Sequence, residues 1–498
     1  PDCAEPFEKL SQTDYTYDVF DKLTQVTDAD GNKTRMVYDS LGRKTAMHDP
    51  DMGNWSYRYD DVGNLIRQED ANGQVIAFAY DGLNRLQGKC YFPDGAPADV
   101  TCTASDYDVA YAYDRDAYYG RGQRTGMTYP GGAVTYRYDA RGRLTWEQRA
   151  FDGLDTYATE YTYDAMDRVT RLTYPDGEVV KQTYNVAGQP ATLTGDAAYV
   201  EGTTYNALGQ IEQLHLGNDL LTRYDYFDAA SNHRLKRIRV QEDGGSATHL
   251  DLTYAYDDVG NVRFIDDRWM PNGEQNYGFT YDALDRLTYA YASPGSEVPG
   301  YSHTYAYDAL GNLTRKDGES YEYAGSGHAH AQPHAVTTVG ADRFTYDANG
   351  NLITRVEDGV TYAQDFDVEN RLATVTRTAG DEVNVTRFVY DGDGARIAQV
   401  TPAGTTIYVG NTYEAFFPGE EWEPTAIQGE PESAPPAPPE APPDAEGRAP
   451  GLMAPILHLD QPNSRERWDQ PTRVEPLRAN SGNLAGPADP GCSNIISG

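Results

Sequence analysis

The sequence predicts an all-β protein in which tandem β-hairpins join into one long coiled β-strip, followed by a Pro-rich, non-repeat C-terminal tail. Three observations carry this prediction. A pattern seen in Tyr57-Arg58-Tyr59-Asp60-Asp61-Val62-Gly63-Asn64-Leu65 returns from near the N-terminus to about residue 400. Its two aromatics stand two residues apart, so in a strand they share a face. Asp-Gly and Asn-Gly pairs fall about midway between copies, at Asp30-Gly31, Asn72-Gly73, Asp176-Gly177, Asn272-Gly273 and Asp358-Gly359, and such pairs between short apolar or β-branched runs mark hairpins.

Each letter of the pattern has a physical reason. The aromatic step recurs as Tyr15/Tyr17, Phe78/Tyr80, Tyr111/Tyr113, Tyr136/Tyr138, Tyr161/Tyr163, Tyr254/Tyr256, Phe279/Tyr281, Tyr305/Tyr307, Phe344/Tyr346 and Phe388/Tyr390, giving stacked hairpins an aromatic ladder on one face. The Asp opens a type I turn and the Gly at the fourth place takes the left-handed conformation, the common three-residue hairpin connection. The clearest turn-and-ladder sets are Tyr38, Asp39, Gly42; Tyr59, Asp60, Gly63; Tyr138, Asp139, Gly142; Tyr256, Asp257, Gly260; Tyr307, Asp308, Gly311; and Tyr346, Asp347, Gly350. Where the fourth residue is not Gly it is usually Asp or Asn (Asp21, Asn84, Asp167, Asp285, Asn370), types that tolerate positive φ. Ala117 and Ser231 fit poorly.

In order along the chain, residues 1–13 are a lead-in, 14–415 the repeat array and 416–498 a Pro-rich irregular tail. Sixteen Tyr/Phe marks are spaced by 21 residues in the first four units and by 25 at Tyr113, Tyr138 and Tyr163, insertions that hairpin tips absorb. One mark falls on Phe227, and the 39-residue gap from Tyr307 to Tyr346 hides a degenerate unit at Tyr321-Glu322-Tyr323. A lone hairpin is marginal in water, so units bury their aromatic faces on one another. Sixteen hairpins give about 32 strands and a ribbon roughly 150 Å along its hydrogen-bonding direction, which twist turns into a spiral strip or hollow barrel. The Pro431 to Pro443 stretch reads as polyproline II or disorder.

The net charge of −36 argues against nucleic acid and against anionic membranes. With 40 Tyr against 13 Phe and 5 Trp, the core must be built from amphipathic aromatics. No run of about twenty apolar residues is present to span a bilayer. No Lys/Arg-led apolar segment stands at the start, so a signal peptide has been removed or the chain is a fragment. Cys90 and Cys102 flank the insertion Tyr91 to Thr101 and are disulfide candidates, two free thiols being the alternative. Cys3 and Cys492, near the two ends, could pair within one chain or between neighbours.

The motif Tyr-x-Tyr-Asp-x-x-Gly-Asn-Leu repeats through 14–414 and closes on Tyr346-Asp347-Ala348-Asn349-Gly350-Asn351-Leu352, Phe366-Asp367-Val368-Glu369-Asn370-Arg371-Leu372 and Tyr390-Asp391-Gly392-Asp393-Gly394. In this it resembles the YD-repeat, or RHS-repeat, proteins: bacterial wall-associated and secreted proteins, the shells of ABC-type insecticidal toxins, polymorphic toxins and the animal teneurins. The resemblance implies a β-strip spiralling into a hollow casing that can enclose a C-terminal segment. Toxin-carrying members follow the array with an Asp-Pro-x-Gly-like motif where aspartates cleave the chain. No such motif follows Tyr413-Glu414, and Asp489-Pro490-Gly491-Cys492 is a partial match.

Other constellations read as structure. His328, His330 and His334 could ligate a metal but stand in a stretch ordinary for the family. Asp28-Ala29-Asp30-Gly31-Asn32 lacks the ligand spacing of a calcium loop and suits a turn. An Asp repeated once per unit is a turn former, and no nucleophile, metalloprotease or phosphate-loop motif is present. The expectation is a non-enzymatic protein without catalytic, cofactor-binding or metal sites, secreted or at the cell surface. Its first expected role is a scaffold polymerising head-to-tail with itself into an extracellular filament. The alternatives are a shell holding its own tail or a toxin cargo, and an adhesin stacking surface glycans on Tyr.

Overall fold

The computed structural model describes residues 10–268, 275–295, 299–325, 332–419 and 422. The chain divides into a unit over Pro1–Pro443 and another over Asp444–Gly498, and the described residues all lie in the first. They form an all-β strip of 36 strands, from Asp14–Tyr17 to Tyr413–Pro418, in one antiparallel sheet where each strand pairs with its neighbours in sequence. The sheet does not close: among the described residues the first strand pairs only with Leu23–Thr27 and the last only with Gly404–Val409.

The strands number 36 rather than about 32 because two hairpins escape the sixteen marks. One ends in Tyr323 of strand Glu319–Tyr323, the degenerate unit, and the other joins Gly404–Val409 to Tyr413–Pro418, where Val409 replaces the Tyr. The last strand therefore runs to Pro418, past the boundary at 415 that composition suggested.

The Asp turns have a common geometry. In the unit at Tyr59 the Asp60 N–H donates to the Asn64 carbonyl (2.9 Å) and the Gly63 N–H to the Asp60 carbonyl (3.2 Å). Gly63 sits at φ 100°, and the register slips by one residue at Arg58/Tyr59, which makes a bulge beside the turn. Asp21, Asn84, Asp167, Asp285 and Asn370 take the left-handed place at φ between 60° and 63°. The two poor fits are longer loops. Short 3₁₀ turns, Asp116–Tyr118 and Ala229–Ser231, displace the left-handed residue to Tyr119 (φ 50°) and to Asn232 and His233 (φ 54° and 52°).

That second loop corrects the mark at Phe227. Strand Leu220–Tyr226 ends one residue earlier, and the Phe227 N–H, not an Asp N–H, closes the loop on the Arg234 carbonyl (2.9 Å). Tyr226 is the ladder residue. The midway turns also divide: Asp30-Gly31, Asn72-Gly73 and Asp176-Gly177 place only the Gly at positive φ, whereas both Asp358 (51°) and Gly359 (80°) do so in a tight two-residue turn. Asn272-Gly273 lies outside the described residues.

Along a strand such as Lys33–Tyr38 exposure alternates, with Lys33, Arg35 and Val37 exposed and Thr34, Met36 and Tyr38 half-buried. The strip thus has a Tyr face and a polar face. Its buried core lies where the last strands cover the Tyr face of earlier ones: Val109, Met127, Tyr129 and Phe151 pack with Ile397, Ile407 and Trp422. Each such side chain contributes about 1.5–3 kcal/mol on burial.

Candidate functional site

The repeated unit is a clasp. The Tyr hydroxyl reaches back one unit to the first carbonyl of an earlier strand: Tyr38 to Leu23 (2.9 Å), Tyr59 to Lys44 (2.9 Å), Tyr138 to Arg124 (2.6 Å), Tyr256 to Leu235 (2.8 Å), Tyr307 to Leu287 (2.9 Å) and Tyr346 to Val336 (2.9 Å). This is why the ladder is Tyr and rarely Phe. Phe366 lacks the hydroxyl, and there Gln364, two residues earlier on the same face and buried, donates to the orphaned carbonyl of Leu352 (3.0 Å).

The Asp carboxylate holds its own turn. Asp39 Oδ1 accepts from the N–H groups of Leu41 and Arg43 (both 2.9 Å), and Oδ2 accepts from Arg43 Nε (2.7 Å). Arg43 then donates to the Asp60 carbonyl of the next turn (2.7 Å) and lies over the Tyr59 ring (5.0 Å). Asp139, Asp282 and Asp367 repeat this through Arg143, Arg286 and Arg371. In the Asn variants, Asp60, Asp257, Asp308 and Asp347 bind Asn64, Asn261, Asn312 and Asn351. One rim of the strip is therefore a row of turns hydrogen-bonded to one another. The backbone N–H and side chain of Arg43 hold the Asp39 carboxyl below the usual range, and those of Arg85 do the same for Asp81.

After one circuit this rim meets the opposite rim of the strip. The sixth and seventh strands (Leu65–Glu69, Val75–Tyr80) turn against the turn joining the twenty-ninth and thirtieth (Asp342–Tyr346, Leu352–Glu357), so a circuit takes 23 strands. At about 4.8 Å per strand its circumference is about 110 Å. The seam is polar. Asn349 Nδ2 donates to Asp70 Oδ2 (2.6 Å) and its Oδ1 accepts from the Ala71 and Asn72 N–H groups (2.8 and 3.3 Å). Lys89 donates to Glu369 Oε1 and the Gly392 carbonyl (both 2.8 Å), Tyr91 bonds the same Glu369 oxygen, and His334 Nδ1 meets Asp51 Oδ2 at 2.8 Å.

Burial opposes the Glu369 charge, but the bonds from Lys89 and Tyr91 and the charges of Arg371 and Lys89 hold its carboxyl below the usual range. The hydrogen bond to Asp51 raises His334 above its ordinary value against the opposing effect of burial.

Farther along, the seam sinks into the core. Arg124 grips Asp393 with both nitrogens (2.9 and 2.6 Å), and Arg149 Nη1 meets buried Asp391 at 3.0 Å. Tyr111 donates to the Gly392 carbonyl (2.8 Å), and a Cβ at Gly392 would come within 2.3 Å of Val109 Cγ1. Beyond the last strand Trp422 is buried against Phe151, and its Nε1 donates to the Asp152 carbonyl (2.7 Å).

Sequence reasoning found the clasp residues as turn formers but missed the seam. Its signal is there: the third residue of the turn, aliphatic in most earlier units, becomes Asn349, Glu369 and Asp393 in the units that dock. Cys90 and Cys102 form a disulfide with Cα atoms 5.5 Å apart, closing a loop whose Ala96 carbonyl accepts from Arg67 (3.1 Å). Cys3, Cys492, His328 and His330 lie outside the described residues. Asp28 binds the Asp30 and Asn32 N–H groups (3.0 and 2.8 Å) as a turn former. Among the described residues no three His, Cys, Asp or Glu side chains converge, and no helix is long and apolar enough to cross a membrane.

The RHS Repeat family model matches residues 17–51, 59–89, 118–153 and 148–179. The toxin protein Tse5 of Pseudomonas aeruginosa is 28% identical over 351 residues, covering 62% of this chain and 25% of that protein. The toxin subunit YenC2 of Yersinia entomophaga is 28% identical over 215 residues, covering 36% and 22%. The chain spans about a quarter or less of the length of the curated relatives it matches. Among solved structures, the Photorhabdus luminescens Tc holotoxin pore superposes with a TM-score of 0.68 at 20% identity, over 81% of this chain and 22% of that one. A TcdB2-TccC3 crystal structure gives 0.67 at 20% identity over 81% and 23%. These structures share the fold. The relatives bear the names of toxins and toxin subunits, which favours the containment expectation over the filament and the glycan adhesin.

Proposed function

Because this chain is an RHS-repeat protein, one of the YD-repeat group, we propose that its strip is a section of the wall of a containment shell that holds polypeptide carried C-terminal to it. The observation that carries this reading is the end of the strip. After one circuit the last strands lie on the Tyr face of the wall, and the chain leaving them is pinned there by Trp422 at Phe151 and Asp152. Since the last strands overlap the Tyr face of the first circuit, a chain that continues along that face lies on the enclosed side. The strip does this without chemistry of its own. It acts outside the cell that makes it, secreted or at the surface, where the Cys90–Cys102 bond persists.

The test uses Cys492, with Cys3→Ser removing the other thiol outside the disulfide. A bulky polyethylene-glycol maleimide is expected to leave native protein unlabelled and to label it fully in denaturant. Immediate labelling of native protein would overturn containment.

A further inference from the structure

The strand Leu86–Phe92 meets the seam with one face and a covalent strap with the other. Successive side chains of a strand point to opposite faces, so Lys89 and Tyr91 share one face and Cys90 between them takes the other. Lys89 and Tyr91 both bond Glu369 across the seam. Cys90, 1% exposed, is joined to Cys102 on the far side. On one side Val75–Tyr80 pairs with this strand to its end, but on the other Val109–Tyr113 pairs with it only at Gly88 and Lys89. Beyond that point the place of a ladder partner is taken by Asp108, whose N–H donates to the Lys89 carbonyl (2.9 Å) and whose carboxylate accepts from the Tyr91 N–H (2.7 Å). A single 3₁₀ turn, Ala104–Asp106, ties Asp108 to Cys102. The disulfide therefore anchors, at both ends, the short segment that presents both seam donors.

We propose that the Cys90–Cys102 bond is a redox latch on the seam, which holds while the bond is closed and loosens when a dithiol reduces it. The contact it governs reaches along the rim. Asn370, next to Glu369 in the same turn, accepts through its Oδ1 from Asn349 and Asn351 (2.8 and 2.7 Å), and Asn349 is the residue that bonds Asp70, Ala71 and Asn72. Losing hold of Glu369 thus frees the turn that steadies Asn349. Cys102 is half-buried in a loop whereas Cys90 is enclosed, so the Cys102 sulfur is the one attacked. The reagent's first thiolate bonds Cys102 Sγ and Cys90 leaves as a thiolate; its second thiolate then displaces Cys102 and closes a disulfide in the reagent. The dithiol loses two electrons, and its two protons pass to Cys90 and Cys102. Such a bond persists outside cells and is broken in a thiol-reducing compartment, so the seam is locked in the first and yields in the second. The latch does not rest on containment, because every group in it belongs to the strip.

The experiment is hydrogen exchange with mass spectrometry on the full chain, before and after excess dithiothreitol. It is read at the cross-seam amides of Ala71, Asn72 and His334, the last bonded to Asp51 (3.1 Å). Reduction is expected to speed their exchange about tenfold, the worth of one hydrogen bond to a charged group, and to leave the strand Leu220–Tyr226 unchanged. The pair Cys90→Ser, Cys102→Ser should exchange as the reduced parent does and ignore the reagent, which excludes Cys3 and Cys492 as the source. In Glu369→Ala the latch has nothing to hold, so reduction should add little. If that variant fails to fold, Tyr91→Phe serves, with a smaller effect of reduction than in the parent. Unchanged exchange at the three amides after reduction, or a bond that native protein keeps in excess reagent, overturns the proposal. So does an effect of reduction as large in these variants as in the parent, the mark of a bond that only stiffens the chain as a whole.

Discussion

At the scale of the residue, the repeat is a hydrogen-bond circuit, and its letters are fixed by which atoms must be satisfied. Tyr59→Phe removes the donor to the Lys44 carbonyl and is expected to cost about 1 kcal/mol in denaturant unfolding. The exception tests the rule better. Gln364→Leu leaves the Leu352 carbonyl without its donor, at an expected cost of about 1–3 kcal/mol, and Phe366→Tyr added to it should recover most of the loss. A double variant no more stable than Gln364→Leu would show that the carbonyl does not need the bond. The turn carboxylates set the acid limit. Asp39, Asp81 and Asp164 are held below the ordinary carboxyl value of 3.8, so their contribution is present above that pH and is lost as pH falls through the lowered values. Melting temperatures should therefore fall steeply below about pH 4, and Asp39→Asn should flatten that dependence.

At the scale of the element, hairpins and their order are written in local pattern, whereas the seam is not. The Tyr, Asp and Gly of each unit act within one turn and the strand before it, so a period of 21 residues suffices to read them. The seam joins residues 279 apart, as in Asp70 and Asn349, and depends on how many strands complete a circuit, a property of accumulated twist that no single unit states. Phe227 misleads for a related reason: a lengthened loop moves the ladder to Tyr226, and only the register shows it. The seam has its own pH signature. Glu369 is lowered from 4.5, so its support is lost as pH falls below that value. His334 is raised from 6.5, so its support is complete below 6.5 and is lost as pH rises through the raised value, with Asp51, Asp28 and Asp308 the carboxylates acting on it. Protection of the Ala71 and Asn72 amides from hydrogen exchange, taken relative to the intrinsic rate at each pH, should thus be greatest between these limits. Replacing Cys90 and Cys102 by Ser, which frees a loop of separation 12 beside the seam, is expected to cost about 3 kcal/mol.

At the scale of the whole described unit, one sheet of 36 strands is stable because it meets itself. A single-layer strip half-buries its Tyr face, and its buried core forms where the strands around Ile397 and Ile407 cover those around Val109 and Met127. Arg149 and Asp391 lie in that overlap, and Arg149→Met, which leaves a buried carboxylate unpaired, is expected to cost about 3–5 kcal/mol and to loosen the overlap before the rest of the strip. If the strip is an enclosing wall, the seam that holds the circuit is what closes it. The measurement that tests it most directly is limited trypsin digestion, followed by mass spectrometry, of the native chain and of Asp70→Ala, Asn349→Ala. Arg448, Arg465, Arg467, Arg473 and Arg478 are expected to survive in the native chain and to be cut once the seam is broken. Prompt cleavage at all five in a native chain whose strip stays intact would rule enclosure out.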